Sequence, residues 1–179
     1  IYSILYMCNY LSIEDLKQFR QLESLTPGHP EIETPGIDAN TGPLGQGIGM
    51  GIGIALAEKA AAGKIKSDRF TYVLAGDGDL QEPIAMGSST LAGHWKLSNL
   101  IMFYDKNDIQ IAGKTSRVDS TNYAKLYDSM KWHVQEIDGH DHQQIRDAIS
   151  NAQSSDKPSI IIGKTTIAKG SYSLSLIHI

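Results

Sequence analysis

Two short runs of β-branched, aliphatic and aromatic residues, each stopped by a polar tripeptide, constrain this chain more than anything else in it. Phe70-Thr-Tyr-Val-Leu-Ala75 stops at Gly76-Asp77-Gly78, and Leu100-Ile-Met-Phe-Tyr104 stops at Asp105-Lys106-Asn107. Each has the length and composition of a buried strand. Between them, Gln81 to Trp95 has helix length and no strong breaker after Pro83. The pattern is a βαβ unit. It sets Asp77 and Asn107, thirty positions apart (107 − 77 = 30), just past the carboxyl ends of adjacent strands. Open α/β sheets bind their ligands in that crevice.

The residue types at these two strand ends suit a metal ion beside a diphosphate. Magnesium takes about six oxygens in near-octahedral geometry, usually one or two side chains plus phosphates. Asp77 supplies a charged oxygen and Asn107 a neutral amide oxygen, and the main-chain carbonyl of Ile109 is placed to complete the protein's share. Glycines on either side of Asp77 let the backbone approach a diphosphate with no Cβ in the way. Taken alone, Gly-Asp-Gly reads first as an ordinary tight turn. Its pairing with a second strand end at this distance favours the metal.

Composition removes other classes. With 179 residues, 41% hydrophobic and 20% charged, the chain has the length for one globular core. A net charge of −4 argues against a nucleic-acid partner, whose binding face is normally basic. No apolar run approaches the ~18 residues of a membrane span. Cys8 is the one cysteine, so an internal disulfide is excluded and a reducing cytoplasm fits. Neither Gly-x-Gly-x-x-Gly nor the Walker pattern occurs, which counts against nicotinamide or nucleoside-triphosphate binding.

The rest of the chain extends the same architecture. Ser12 followed by Asp15 predicts a capped helix running through Leu22. Pro27, Gly28, Pro30 and Pro35 mark Thr26 to Asn40 as a loop. From Pro43 a long helix is expected to reach Ala62, with Gly63 as its terminator. Its first half carries glycine at 45, 47, 49, 51 and 53, each costing about 1 kcal/mol relative to alanine. Such a run implies close backbone approach. Trp132 to Ile137 and Ser159 to Gly163 read as further strands around a helix from Asp141 to Ser150. The order strand, helix, strand, strand, helix, strand gives an α/β fold, a parallel β-sheet with helices on both faces.

Six blocks carry a resemblance to a known family. They are Leu11-Ser-Ile-Glu-Asp-Leu-Lys-Gln-Phe-Arg-Gln-Leu22, Thr26-Pro-Gly-His-Pro-Glu31, Thr41-Gly-Pro-Leu-Gly-Gln-Gly47, Gly76-Asp-Gly-Asp-Leu-Gln-Glu82, Leu91-Ala-Gly-His94 and Tyr104-Asp-Lys-Asn107. In this order and spacing they resemble the diphosphate-binding domain of the transketolases, over residues 1–170. The resemblance implies the thiamine-diphosphate-binding fold, with magnesium (or calcium) held by Asp77, Asn107 and the Ile109 carbonyl. It implies cofactor contacts from Gly42, Pro43, Leu44, Gly78, Asn107 and Ile109. His29, in its proline-flanked loop, would hydrogen-bond the donor sugar. The implied reaction moves a two-carbon glycolaldehyde unit from a ketose phosphate to an aldose phosphate. The implied partner is a second subunit of a homodimer, supplying the pyrimidine-binding domain.

Departures from the family pattern are also expected to matter. Pro83 stands where glycine is common and Gly87 where many members carry glutamate, which disturbs the carboxylate network that Glu82 would join at a subunit interface. His94, His133, His140 and His142 read as structural or surface residues. The pattern stops after Gly170, so residues 171–179 are an unmatched tail and the chain reads as a fragment, expected to be inactive alone. A dihydroxyacetone synthase, another thiamine-diphosphate enzyme, the N-terminal subunit of a split transketolase and a non-catalytic relative are the alternatives.

Overall fold

The computed structural model describes residues 1–62, 68–111 and 113–170. The expected helix terminator Gly63 and the tail at 171–179 lie outside them. The chain forms two compact units, Ile1–Leu44 and Gly45–Ile179.

The first unit contains two short helices, α1 (Tyr2–Met7) and α2 (Ile13–Lys17), and a long loop. α2 opens as the sequence predicts. The Ser12 hydroxyl accepts from the Asp15 amide at 3.1 Å while the Asp15 carboxylate accepts from the Ser12 amide at 2.7 Å, a reciprocal capping box. The helix does not continue to Leu22. Arg20 adopts φ +63° and its amide donates to the Thr26 carbonyl at 2.9 Å, turning the chain into the loop.

That loop is irregular but well tied. The fully buried Thr26 hydroxyl donates to the Asp15 carbonyl and the buried Thr34 hydroxyl to the Leu25 carbonyl, both at 2.8 Å. Tyr2 donates to the Pro27 carbonyl at 2.6 Å. The Thr41 amide donates to the Pro30 carbonyl at 3.0 Å, closing the loop at its base. Buried polar groups thus find partners within the segment, as they must in a loop without a ladder.

The second unit runs α3 (Gln46–Ala61), β1 (Thr71–Gly76), α4 (Asp77–Leu80), α5 (Pro83–His94), β2 (Leu100–Lys106), β3 (Ile109–Gln110), β4 (Gly113–Lys114), α6 (Tyr123–Ser129), β5 (His133–Asp138), α7 (His142–Gln153) and β6 (Ser159–Lys164). β1, β2, β6 and β5 form a parallel sheet in that order. All four expected strands are present, but β1 is not the buried strand its composition suggested: it lies at one end of the strand order, with Tyr72 and Leu74 exposed. The hairpin β3–β4 and helix α6 are additions to the sequence reading.

Residue alternation divides the core. Leu100, Met102 and Tyr104 of β2 and Ile160 and Ile162 of β6 pack with Ile48, Ile52 and Ala55 of α3, Ala85 and Ala92 of α5, and Tyr127 of α6. Ile101 and Ile161 point the other way, onto Ala148 and Ala152 of α7. Two-faced burial is why these strands read as unbroken apolar runs rather than alternating ones. Trp132 seals the edge of the larger cluster. It is 2% exposed, donates from its indole nitrogen to the Ser89 carbonyl at 2.9 Å, and meets Tyr127 edge-on at 5.1 Å.

The glycine run opening α3 has a narrower cause than expected. At Gly51 an added Cβ would lie 2.3 Å from Val73 Cγ2, so there the helix backbone does ride directly on β1. At Gly47 and Gly53 nothing lies within 4 Å. Gly45 serves differently, since with φ +76° it is the residue that caps the helix. The helix therefore starts at Gln46, and Pro43 is not its first residue as the sequence suggested. The left-handed turn at Gly45 is what delays it.

Candidate cofactor and metal site

The parallel register sets the site. Gly76 pairs with Asp105 at the carboxyl ends of β1 and β2, so Asp77 and Asn107 leave the sheet side by side. Asp77 is the first residue of α4 and only 3% exposed. One carboxylate oxygen accepts from the Tyr104 hydroxyl at 2.7 Å. The other accepts from the backbone amides of Asn107 at 3.2 Å and Asp108 at 3.1 Å. Asn107 folds over its own turn, its side-chain oxygen accepting from the Ile109 amide at 3.0 Å. Asp77, Asn107 and Ile109 thus line one cleft of about 550 Å³ with Tyr104, Thr115 and Tyr123.

The electrostatics of Asp77 are those of a buried acid with no cationic side chain paired with it among the described residues. Burial pushes its carboxyl above the ordinary carboxylate range, and the hydrogen bonds from Tyr104, Asn107 and Asp108 only partly oppose this. All three donors are neutral. Among the described residues no cationic side chain pairs with it; Lys106, nearby, is engaged by Asp108 at 2.6 Å. A buried carboxylate without a cation is costly. A carboxylate, an amide oxygen and a main-chain carbonyl beside an unneutralised buried charge make a donor set that fits a hard divalent cation. No cluster of three or more His, Cys, Asp or Glu suited to a metal occurs among the described residues, so phosphate or water oxygens would have to complete the shell.

A larger cleft, about 750 Å³, lies over the ends of β2, β5 and β6, lined by Lys106, Glu136, Asp138, His140 and Lys164. It contains none of Asp77, Asn107 and Ile109, and donor chemistry rather than volume selects the smaller one. His140 is occupied there, its ring nitrogen accepting from the Thr166 amide at 2.8 Å. His133 pairs with Ser159 at 3.2 Å.

Asp79 did not stand out in the sequence. Its two carboxylate oxygens accept from the amides of Gly45 at 3.0 Å and Gly76 at 2.9 Å, tying the cap of α3 to the end of β1. The Gly45 amide is therefore committed to Asp79. Gly78 follows Asp77 within α4. Glu82 is the cap residue of α5, and Pro83 begins that helix, a position where a missing N–H costs nothing.

In the first unit the loop brings two expected residues together. Gly42 has φ +114°, and a Cβ built on it would touch the His29 ring at 3.3 Å. The imidazole thus lies flat against a backbone that only glycine supplies. His29, Gly42, Pro43 and Leu44 are all exposed. Gly42, Pro43 and Leu44 lie in the segment before the cap of α3, not on the helix itself, so a helix dipole does not act through them.

The parallel four-stranded sheet and its helices are the fold of an α/β thiamine-diphosphate-binding domain. Residues 1–177 match the family model described as "Transketolase, thiamine diphosphate binding domain", and the chain belongs to the transketolase family. It is 48% identical over 181 residues to transketolase 2 of Escherichia coli, covering 96% of this chain and 27% of that protein. It superposes on the transketolase of Campylobacter jejuni with a TM-score of 0.92 at 46% identity, covering 99% of this chain and 29% of that one. A Pichia stipitis transketolase solved in complex with sedoheptulose 7-phosphate matches with a TM-score of 0.87 at 44% identity, over 91% of this chain and 26% of that one. The chain thus spans about a quarter of the length of these relatives. Among the described residues no helix is long and apolar enough to cross a membrane.

Proposed function

We propose that this chain is the diphosphate- and metal-binding portion of a transketolase, which moves a two-carbon glycolaldehyde unit from a ketose phosphate to an aldose phosphate. The carrying observation is Asp77, a buried carboxylate with only neutral donors around it, placed beside Asn107 and Ile109 at adjoining strand ends. Magnesium, or calcium in its place, would be held by Asp77, Asn107 and the Ile109 carbonyl. When bound, thiamine diphosphate supplies the carbon centre that carries the two-carbon unit, and the protein's share is position and charge. Gly78 lies next to Asp77, where an absent Cβ leaves room for the diphosphate. Gly42, Pro43 and Leu44 contact the rest of the cofactor. His29 donates a hydrogen bond to a hydroxyl of the donor sugar, its ring held by the loop and by Gly42.

The sugar-phosphate assignment is supported by the Pichia stipitis relative solved with such a ligand. A second copy of the protein, in a two-fold dimer, supplies the pyrimidine-binding domain, and the assembly works in the cytoplasm. Residues 1–179 in isolation are accordingly expected to be inactive, and substantial turnover by them would contradict the dimer reading. Gly42→Ala should impair the enzyme through His29. The added methyl meets the ring and strains φ, so kcat/KM for the ketose is expected to fall about tenfold, the worth of one displaced hydrogen bond to substrate. A variant as active as wild type would remove His29 from the donor site.

The decisive assay follows glyceraldehyde 3-phosphate release from xylulose 5-phosphate and ribose 5-phosphate by the complete protein, with and without thiamine diphosphate and magnesium. Activity requiring both additions supports the proposal. Cofactor binding without activity would instead indicate a sister enzyme with a different acceptor. Absence of both would mean that the fold serves another purpose.

A further inference from the structure

Tyr104 sits in the middle of the proposed metal-site geometry, and in the sequence it opens the block Tyr104-Asp-Lys-Asn107 with no role of its own. It is 1% exposed on β2, with its hydroxyl 2.7 Å from Asp77. A carboxylate can only accept, so the phenol must donate. The carboxylate torsion of an aspartate is broad and two-fold, and something must choose its plane. Among the described residues three donors do so, and Tyr104 is the only side chain of the three. The ring of Tyr104 is itself located by Tyr123, edge-on at 5.7 Å. Tyr123 donates to Asp119 at 2.7 Å, and Asp119 accepts in addition from the Thr121 amide at 2.8 Å. The line Asp77, Tyr104, Tyr123, Asp119 therefore runs from the strand end to the segment between β4 and α6 without a gap.

We propose that Tyr104 is a positioning residue for the metal-binding carboxylate, its hydroxyl fixing the orientation of Asp77 while Tyr123 and Asp119 hold Tyr104 in place. The inference rests on the metal site proposed above. Partners that orient a ligating side chain in this way govern metal affinity although they never touch the metal.

The test is a magnesium titration of the complete protein at fixed thiamine diphosphate, followed by calorimetry, on wild type, Tyr104→Phe and Tyr123→Phe. Tyr104→Phe keeps the ring and deletes only the hydroxyl. It should raise the magnesium dissociation constant about 10- to 100-fold, with saturating magnesium restoring full cofactor stoichiometry and kcat. Tyr123→Phe should move it the same way by a smaller factor. A purely structural Tyr104 would lower the melting temperature of the metal-free protein and leave magnesium affinity at the wild-type value. That result, or a loss that saturating magnesium does not restore, would overturn the inference. Should Tyr104→Phe fail to fold, an unchanged affinity in Tyr123→Phe would overturn it. Wild type that binds no cofactor with magnesium would defeat the functional reading and this one together, whereas wild type and Tyr104→Phe binding alike would defeat this one alone.

Discussion

Asp77→Ala in the complete protein is expected to abolish thiamine-diphosphate-dependent ketol transfer. The substitution removes the one charged oxygen in the donor set, leaving an amide and a main-chain carbonyl that cannot offset a divalent charge. Changes to groups that merely orient a ligand cost about 10- to 100-fold in metal affinity or activity, and loss of the ligand itself should exceed the upper end of that range. High magnesium should not rescue it, in contrast to Tyr104→Phe. Folding should survive. The carboxylate is already disfavoured by burial, and its removal leaves the Tyr104 hydroxyl and two amides seeking water in a cleft open enough to admit it. Circular dichroism with a magnesium and cofactor titration checks both halves. Normal cofactor binding by a folded Asp77→Ala protein would remove the metal from this site.

Gly93→Ala is expected to have the largest effect on stability, although it lies on no site. Gly93 is buried near the end of α5, and a Cβ there would fall 1.8 Å from the Met130 carbonyl oxygen and 3.3 Å from Trp132 Cδ1. The obstacle is backbone, so no rotamer relieves it. Either α5 or the turn between α6 and β5 must move by more than an ångström, and that turn is pinned by Lys131 at φ +70° and by the Trp132 bond to Ser89. Overpacking commonly costs ~1–3 kcal/mol, and more when nothing can yield. A loss of about 3 kcal/mol or greater is expected in chemical denaturation. Gly87→Ala is the contrast on the same helix. An added Cβ there meets nothing within 4 Å, and alanine's better helix propensity should leave stability within ~1 kcal/mol of wild type. Equal denaturation midpoints for the two variants would show that the close approach at Gly93 is not as described.

Much of this architecture was legible because strands of a parallel sheet carry unbroken apolar runs, buried on both faces in β2 and β6 though not in β1, where Tyr72 and Leu74 are exposed, and polar residues stop those runs at the carboxyl ends. The place of Asp77 and Asn107 at adjoining strand ends was readable on that ground alone. Gly42, Pro43 and Leu44 came from the family resemblance and not from any local pattern. Their expected place on a helix failed because five alternating glycines do not reveal which one takes a positive φ, and that one was Gly45. Helix α6 escaped notice because it is seven residues long and its buried face is made of Tyr123 and Tyr127, aromatics with no strong helical preference. The hairpin β3–β4 has two residues per strand, too few to show alternation. Tyr104 was hidden for a different reason. In a strand a tyrosine is an ordinary core residue, and its hydroxyl's partner, 27 positions earlier, becomes visible only in the folded chain.

The proposed meeting of a divalent cation and a diphosphate at the ends of β1 and β2 can be tested directly. Crystals of the complete protein grown with thiamine diphosphate and manganese, a scattering substitute for magnesium, would report the metal through its anomalous signal. The expected result is a single strong peak per active site within bonding distance of Asp77, the Asn107 side-chain oxygen and the Ile109 carbonyl, with diphosphate oxygens completing the shell. Cofactor bound with its metal elsewhere, for instance in the larger cleft beside Lys164 and His140, would contradict the assignment of Asp77 as a metal ligand.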